Sequence, residues 1–180
     1  FVYDHIDKST LDKEDLMLLN ETYLSFARSG ANLEGEDREK YRTLSNEISM
    51  LTLKFGQNVR KELNTYEVWL EKNDLEGLPE DVVEAAQLAA KEKGKEGYLF
   101  TMAAPSYRPF MQYSSRRDLR EKMYKIYNSR NTKGEYNNVE VMAQIADKRR
   151  QLANLLGYST FAEDKLSHTM AQTPANVYIL

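Results

Sequence analysis

Cysteine is absent from the 180 residues of this chain. Its absence excludes disulfide bonds, catalysis by a thiolate and zinc sites built on cysteine. It does not assign a compartment, because a chain without cysteine suits reducing and oxidising surroundings alike. A metal site in this chain would therefore need histidine and carboxylate ligands.

Histidine is scarce, since the sequence contains only His5 and His168. A helical zinc site of the HExxH type needs two histidines one turn apart, and these two are far apart in sequence. Glu163 precedes His168 by five residues, so the two side chains would diverge on a helix. We interpret His168 as a surface or packing residue, with a functional role as the alternative. We predict no catalytic, cofactor-binding or metal-ligating residue in this chain.

Motifs for phosphate binding and nucleophilic catalysis are also lacking. The segment GANLEG has the glycine spacing of a P-loop, but Glu36 and Asp37 stand where lysine and serine or threonine are required. There is no GxSxG elbow. Carboxylate pairs occur in LEGED and LEGLPED, but among 28 acidic residues such pairs arise by chance, and we interpret them as solvated.

Long apolar runs and a strong charge imbalance are missing as well. No run approaches the roughly 20 apolar residues of a membrane helix, and the sequence shows no signal peptide. The formal net charge of -3 gives no general electrostatic reason to bind nucleic acid or an anionic membrane. We therefore expect neither nucleic acid nor a membrane as a partner.

Helical periodicity dominates what is present. It predicts a helix over Leu11–Ser29, followed by Gly30, and a long one-sided helix over Glu36–Leu63. Period-two alternation predicts a strand over Tyr66–Glu71 and a second strand in GYLFTM, with a helix in GLPEDVVEAAQLAAKEKG between them. We predict that the two strands pair and lie against helices, because a two-stranded pair alone is marginal.

Capping residues predict the helix starts in the rest of the chain. The predicted first or capping residues are Pro105, Ser115, Asn138, Thr160 and Thr173. The fold class is therefore mainly α, a multi-helix array with a minor two-stranded β element. As domain organisation we predict a single helical unit over 1–180, with a helical hairpin over 1–65, a strand–helix–strand segment over 66–104 and helices over 105–180.

Two basic clusters are candidates for binding an anion. They comprise Arg116, Arg117 and Arg120, and the run Lys148, Arg149 and Arg150. They could hold a peptide carboxylate or a phosphate, but we interpret them as solvated helix faces with acidic neighbours such as Asp118, Glu121 and Asp147. The 12 tyrosines could line a peptide groove or fill helix interfaces.

Five collinear blocks resemble a known family. They are FARSGANLEGEDREKYRTLSNEISMLTLKFGQNV, LEGLPEDVVEAA, APSYRPFMQYSSRRDLREKMYKIYNSR, NNVEVMAQIADKRRQLANLLGY and MAQTP. Together they resemble the thimet-oligopeptidase family of zinc metallopeptidases over residues 20–180. Within that family they are most similar to the bacterial peptidyl-dipeptidases, also called dipeptidyl carboxypeptidases. The paired asparagines Asn137 and Asn138 favour this branch over the oligopeptidase branch.

The resemblance implies a mostly helical fold split by a deep channel that admits short or unfolded peptides. It implies a zinc cofactor held by two histidines of HExxH and a glutamate from a later helix, with the HExxH glutamate as general base. Peptidyl-dipeptidases release dipeptides from the C-terminus. This sequence lacks HExxH, so no catalytic or metal position of the family carries over to it.

We expect the chain to be an N-terminal or middle fragment of such an enzyme, because it begins at Phe1 and ends in an unfinished apolar face, TPANVYIL. The fragment would form channel wall, would bind no zinc and would be inactive, and its exposed apolar surface would allow non-physiological self-association. The alternative is a stand-alone helical module that binds peptides or proteins. For a bacterial parent, cytoplasm and periplasm both stay open.

Overall fold

The predicted N-terminal helix is present in the computed structural model, which describes residues 2–179. A short helix, α1 (Val2–His5), precedes it, and the helix itself, α2, spans Lys13–Arg28. The carboxylate of Asp12 accepts two backbone N–H groups of the first turn of α2. After α2 the chain turns at Gly30, whose φ is +78°. A Cβ at this position would lie 2.9 Å from the ring of Tyr41, so both conformation and space favour glycine.

The long predicted helix is confirmed as α3, which spans Gly35–Leu63. Its 29 residues carry Glu36 and Asp37 in the first turn and Arg60 and Lys61 in the last. These charges complement the helix dipole at both ends. The helix thus ends where the period-two pattern begins.

The two predicted strands are also confirmed. β1 (Glu67–Leu70) and β2 (Tyr98–Thr101) pair antiparallel, with Glu67 opposite Thr101 and Leu70 opposite Tyr98. The intervening helix, α4, spans Glu80–Glu92 and packs on β2. Val68 and Leu70 are buried while Glu67 is exposed, as the alternation predicts.

Two helices follow the sheet, α5 (Ala104–Tyr113) and α6 (Arg117–Ser129). Pro105 lies in the first turn of α5, as predicted. The prediction that Ser115 opens the next helix is wrong, because the N-cap of α6 is Arg116. The backbone N–H of Ser115 donates instead to the carbonyl of Glu76 at 2.9 Å, which ties the connection between the two helices to the loop before α4.

The last helices are α7 (Val139–Leu155), α8 (Phe161–Leu166) and α9 (Pro174–Ile179). The predicted capping box of α8 is confirmed, because Thr160 and Glu163 satisfy each other's backbone N–H groups. The Thr173 hydroxyl accepts the N–H of Asn176 at 3.3 Å, as expected of a capping residue. The predicted apolar face ends at Leu180, which lies outside the described residues.

The chain divides into two units by its internal contacts. The first comprises Phe1–Leu51 and Gln144–Leu180, and the second comprises Thr52–Ala143. The second unit has an apolar core in which Phe100 and Phe110 meet edge to face, with ring centroids 4.9 Å apart. Its buried members are Val68, Leu70, Ala86, Phe100, Met102, Phe110 and Met123. The division predicted from the sequence, at 1–65, 66–104 and 105–180, stays a prediction.

The first unit leaves large apolar side chains exposed. On α2, Met17, Leu18 and Phe26 are each more than half exposed, and none of the residues of this helix is buried. In α9, Tyr178 and Ile179 are likewise exposed. Across residues 2–179, no helix has both the length and the apolar character needed to cross a membrane.

Candidate functional site

An open cleft lies beside the small sheet of the second unit. Its volume is about 570 Å³, and its walls come from the end of α3, both strands and the end of α4. The residues that matter most for its chemistry are Arg60, Asn64, Tyr66, Glu67, Lys93 and Thr101. Leu63, Leu99 and Ala103 add apolar surface. The cleft therefore combines charged and apolar walls, as small-molecule sites commonly do.

A paired carboxylate lies on the strand side of this cleft. Glu67 forms an ion pair with Lys93 at 2.8 Å and accepts the indole N–H of Trp69 at 3.0 Å. The ammonium group of Lys95 lies over the Trp69 ring, 4.8 Å from its centroid. The hydrogen bond from Lys93, followed by that from Trp69, lowers the pKa of Glu67. Both carboxylate oxygens of Glu67 are therefore already engaged.

A buried polar cluster lies next to the cleft. Tyr66 lines the cleft and donates its hydroxyl to the buried carboxylate of Glu62 at 2.6 Å. The second oxygen of Glu62 accepts the backbone N–H of Asn131 at 2.5 Å. The hydrogen bond to Glu62, with burial, raises the pKa of Tyr66 to about 12. The cluster thus ties the end of α3 to the loop that follows α6.

The loop after α6 is held by asparagines. Asn131 has a φ of +57° and donates its side-chain amide to the carbonyl of Tyr136 at 2.8 Å. Its own carbonyl accepts the N–H of Asn138 at 2.7 Å. Asparagine tolerates this left-handed conformation better than most residues. The loop therefore has a fixed path although it carries the turn sequence NTKGEYNN.

The predicted capping role of Asn138 is only partly correct. Asn138 directly precedes α7 and its carbonyl accepts the N–H of Met142, as an N-cap carbonyl does. Its side chain, however, is buried and reaches α3, where it donates to the carbonyl of Phe55 at 3.2 Å and accepts from Asn58 at 2.9 Å. The neighbouring Asn137 instead accepts the N–H of Val139. The side chain of Asn137 therefore caps the start of α7, and the side chain of Asn138 forms hydrogen bonds to α3.

The first predicted basic cluster is engaged by local partners. Arg116 pairs with both Asp74 and Asp118, and Arg120 donates to the carbonyl of Ser114. The hydrogen bond from Arg116 lowers the pKa of Asp118 to about 2. These contacts agree with the interpretation as a helix face with acidic neighbours. Arg116 and Arg120 are therefore engaged, and Arg117 acts electrostatically on Glu121.

The second basic cluster is similarly engaged in the first unit. Lys148 pairs with Glu47 at 2.6 Å, and Arg150 pairs with Asp147 at 2.7 Å. The guanidinium of Arg149 lies over the ring of Phe161, 5.2 Å from its centroid. Each cation thus has a partner in the described part of the chain, which favours the structural interpretation over anion binding.

His168 is exposed in the first unit, next to Ser167, whose hydroxyl lies 3.5 Å from Nδ1.

The zinc ion that the resemblance implies does not fit the residues that the structure describes. Within residues 2–179 no group of three or more histidine, cysteine or acidic side chains is arranged to hold a metal ion. The prediction that this chain supplies no catalytic or metal residue stays a prediction.

Sequence reasoning missed both the cleft and the Glu62 cluster. A signal for the cluster was present, because Glu62 continues the apolar stripe of α3 three residues after Val59. A carboxylate on a buried face needs hydrogen-bond partners. The cleft had no such signal, since its residues come from three separate stretches of the chain, 60–67, 93 and 99–103.

Comparison with known proteins shows which family this chain is similar to. The profile of Peptidase family M3 matches residues 110–180. The chain is 38% identical over 158 residues to oligopeptidase A of Haemophilus influenzae, covering 84% of this chain and 23% of the relative. It is 31% identical over 175 residues to oligopeptidase A of Escherichia coli, covering 94% of the chain and 26% of the relative. The chain is therefore similar to peptidase family M3, the thimet-oligopeptidase family.

The branch within the family is less sharply defined. The dipeptidyl carboxypeptidase of Escherichia coli is 29% identical over 178 residues, covering 96% of this chain and 26% of that enzyme. The two oligopeptidases above have higher identities. The branch preference drawn from Asn137 and Asn138 stays a prediction. The chain spans about a quarter of the length of these curated relatives.

Proposed function

We propose that this chain is a wall segment of a zinc-dependent peptidase that hydrolyses short peptides. The match to the profile of peptidase family M3 supports the peptidase activity, and the names of the relatives support oligopeptides as its substrates. The single observation that carries the role of this segment is the alignment of nearly the whole chain with about a quarter of each relative. The segment forms part of the channel and limits the size of the substrate.

In this proposal the residues that hydrolyse the peptide lie outside this chain. The residues described here offer no three-ligand metal site, and the sequence has no HExxH. A zinc peptidase needs metal ligands that also leave a position open for the reacting group. The zinc and the general base therefore come from sequence outside these 180 residues, and the isolated chain does not hydrolyse peptides.

Two modes of cleavage are compatible with the family. Release of C-terminal dipeptides is the mode that Asn137 and Asn138 favour by resemblance. Internal cleavage is favoured by the higher identity to proteins named oligopeptidase A. Mass spectrometry of the products from one N-acetylated octapeptide separates the two. Successive loss of C-terminal dipeptides supports the first mode, and a single internal cut supports the second.

The experiment that tests the proposal compares the complete gene product with the 180-residue chain. Both are assayed on an internally quenched oligopeptide, with and without a zinc chelator. We expect the complete protein to cleave in a chelator-sensitive manner and the chain alone to be inactive. Chelator-sensitive cleavage by the pure chain would contradict the proposal that the zinc and the general base lie outside these 180 residues. Absence of cleavage by the complete protein would contradict the peptidase proposal.

The second candidate is a stand-alone helical module that binds peptides or proteins. Met17, Leu18 and Phe26 on α2 are exposed, and exposed apolar side chains fit the binding surface of such a module as well as the uncovered face of a wall segment. A gene that ends at Leu180 would support this candidate, and an in-frame HExxH further on would reject it. Sedimentation and dye binding add a check, because a wall segment without its surroundings should self-associate or bind ANS.

A further inference from the structure

One of the cations that line the cleft beside the sheet has no partner among the described residues. Arg60 is exposed in the last turn of α3 and lines the cleft. Among residues 2–179 its guanidinium has neither a hydrogen-bond partner nor an ion-pair partner. Most of the arginines in the predicted basic clusters, in contrast, are engaged by carboxylates, carbonyls or rings. Arg60 is therefore a free anchor for an anion.

The charges around Arg60 favour a carboxylate ligand. The cleft is lined by two cations, Arg60 and Lys93, and by the carboxylate of Glu67. Glu67 is already bound to Lys93 at 2.8 Å and to Trp69 at 3.0 Å, so it does not neutralise Arg60. The lining described here thus carries one uncompensated positive charge. A guanidinium can bind a carboxylate through two parallel hydrogen bonds, which suits a terminal carboxylate better than a diffuse charge.

The remaining walls favour a short extended chain with apolar side chains. Leu63 and Leu99 provide apolar contact, while Asn64 and Thr101 offer polar groups. The Thr101 hydroxyl oxygen accepts the N–H of Ala103 at 3.3 Å, which leaves its O–H free to donate. The volume of about 570 Å³ lies within the range of about 300–1,000 Å³ that is usual for small-ligand sites. These dimensions fit a peptide of a few residues.

We propose that this cleft binds the C-terminal carboxylate of a short peptide through Arg60, next to the Lys93–Glu67 ion pair. This inference rests on the proposed function for its choice of a peptide as the ligand. The cleft would hold a substrate or a product by its C-terminal end.

The test is a titration of the 180-residue chain followed by the amide signals in ¹H–¹⁵N NMR spectra. The probe is an acetylated tetrapeptide of three alanines and a C-terminal leucine, used with a free carboxylate and as its C-terminal amide. We expect the carboxylate form to shift the amides of Asn64, Leu99 and Thr101. The amide form should bind about tenfold more weakly, as loss of one charge-assisted hydrogen-bonded contact implies.

The variant Arg60→Gln should reduce the affinity for the carboxylate form about tenfold and bring it to that of the amide form. Arg38→Gln is the matched control, because Arg38 is an exposed arginine on the same helix and does not line the cleft. Equal binding of the two peptides, absence of binding, or an equal loss in the control variant would each overturn the proposal. None of these outcomes depends on hydrolysis, so the peptidase proposal is judged separately by the complete protein.

Discussion

Glu62→Gln changes a buried carboxylate to an amide of nearly the same size. In the folded chain Glu62 accepts two hydrogen bonds, from the hydroxyl of Tyr66 at 2.6 Å and from the N–H of Asn131 at 2.5 Å. Glutamine can satisfy both groups, because its oxygen can accept from Asn131 while its amide donates to the oxygen of Tyr66. The substitution therefore removes the charge while keeping the number of hydrogen bonds.

The expected loss of stability follows from replacing two hydrogen bonds to a charged group by two neutral ones. Hydrogen bonds to a charged group contribute roughly 1.5–3 kcal/mol each, and neutral ones roughly 0.5–1.5 kcal/mol each. The gross loss is about 2–3 kcal/mol, reduced by the cost of burying a carboxylate that is only 8% exposed. We expect Glu62→Gln to lose about 1 kcal/mol net. Glu62→Ala should lose about 3–4 kcal/mol, because it leaves the buried N–H of Asn131 without a partner.

The assay combines urea unfolding with hydrogen exchange at the amide of Asn131. The exchange rate of this amide reports local opening of the structure. The rate should be unchanged or slightly higher in Glu62→Gln and much higher in Glu62→Ala. Glu84→Gln on the exposed side of α4 is the control and should leave both measurements unchanged. A Glu62→Gln protein as stable as the wild type, or more stable, would refute the reasoning. The carboxylate would then contribute less through its hydrogen bonds than its burial costs.

Three further predictions concern the second unit. In the folded chain the pKa of Tyr66 is raised to about 12. In the unfolded chain the tyrosine has a pKa of about 10 and therefore loses its proton at lower pH. The contribution of Tyr66 to stability thus falls as pH rises from about 10 to about 12. Tyr66→Phe should lack this part of the alkaline loss when urea unfolding is compared at about pH 9 and about pH 11. Gly77→Ala should destabilise by more than about 2 kcal/mol, because φ is +84° and the new Cβ would lie 2.4 Å from the carbonyl oxygen of Tyr113. Gly94→Ala, with φ +70° and open space, should cost only about 1 kcal/mol, so equal melting temperatures of the two variants would contradict the clash. Phe110→Ala empties a fully buried position and should lose about 3–5 kcal/mol in chemical denaturation, unless the core collapses around it.

Local signals in the sequence predicted most of the helices and the sheet. Thr160 and Glu163 formed a capping box because both partners lie within one turn, so sequence spacing determines their contact. The long helix α3 followed from the spacing of its apolar residues, which places them together on one half-buried face. Features of this kind depend on residues that are close in sequence.

Contacts between distant segments could not be predicted from the same signals. Ser115 has a good capping side chain, yet its backbone is bound to Glu76, and the helix begins after Arg116. Asn138 precedes a helix as predicted, yet its side chain binds Phe55 and Asn58 some 80 residues earlier. In both cases a tertiary partner competes with the local cap, and one sequence does not reveal which partner prevails.

The polar groups near the cleft differ in whether they depend on a partner. Glu62 is buried, so leaving it unpaired would cost free energy, and the chain itself supplies both of its hydrogen bonds. Arg60 is exposed in the last turn of α3, where its charge is favourable at the negative end of the helix dipole and water can solvate it. Arg60 therefore needs no ligand for the fold, and a carboxylate that binds it adds an interaction without replacing one. A group with that freedom can serve recognition, whereas Glu62 is committed to holding the structure.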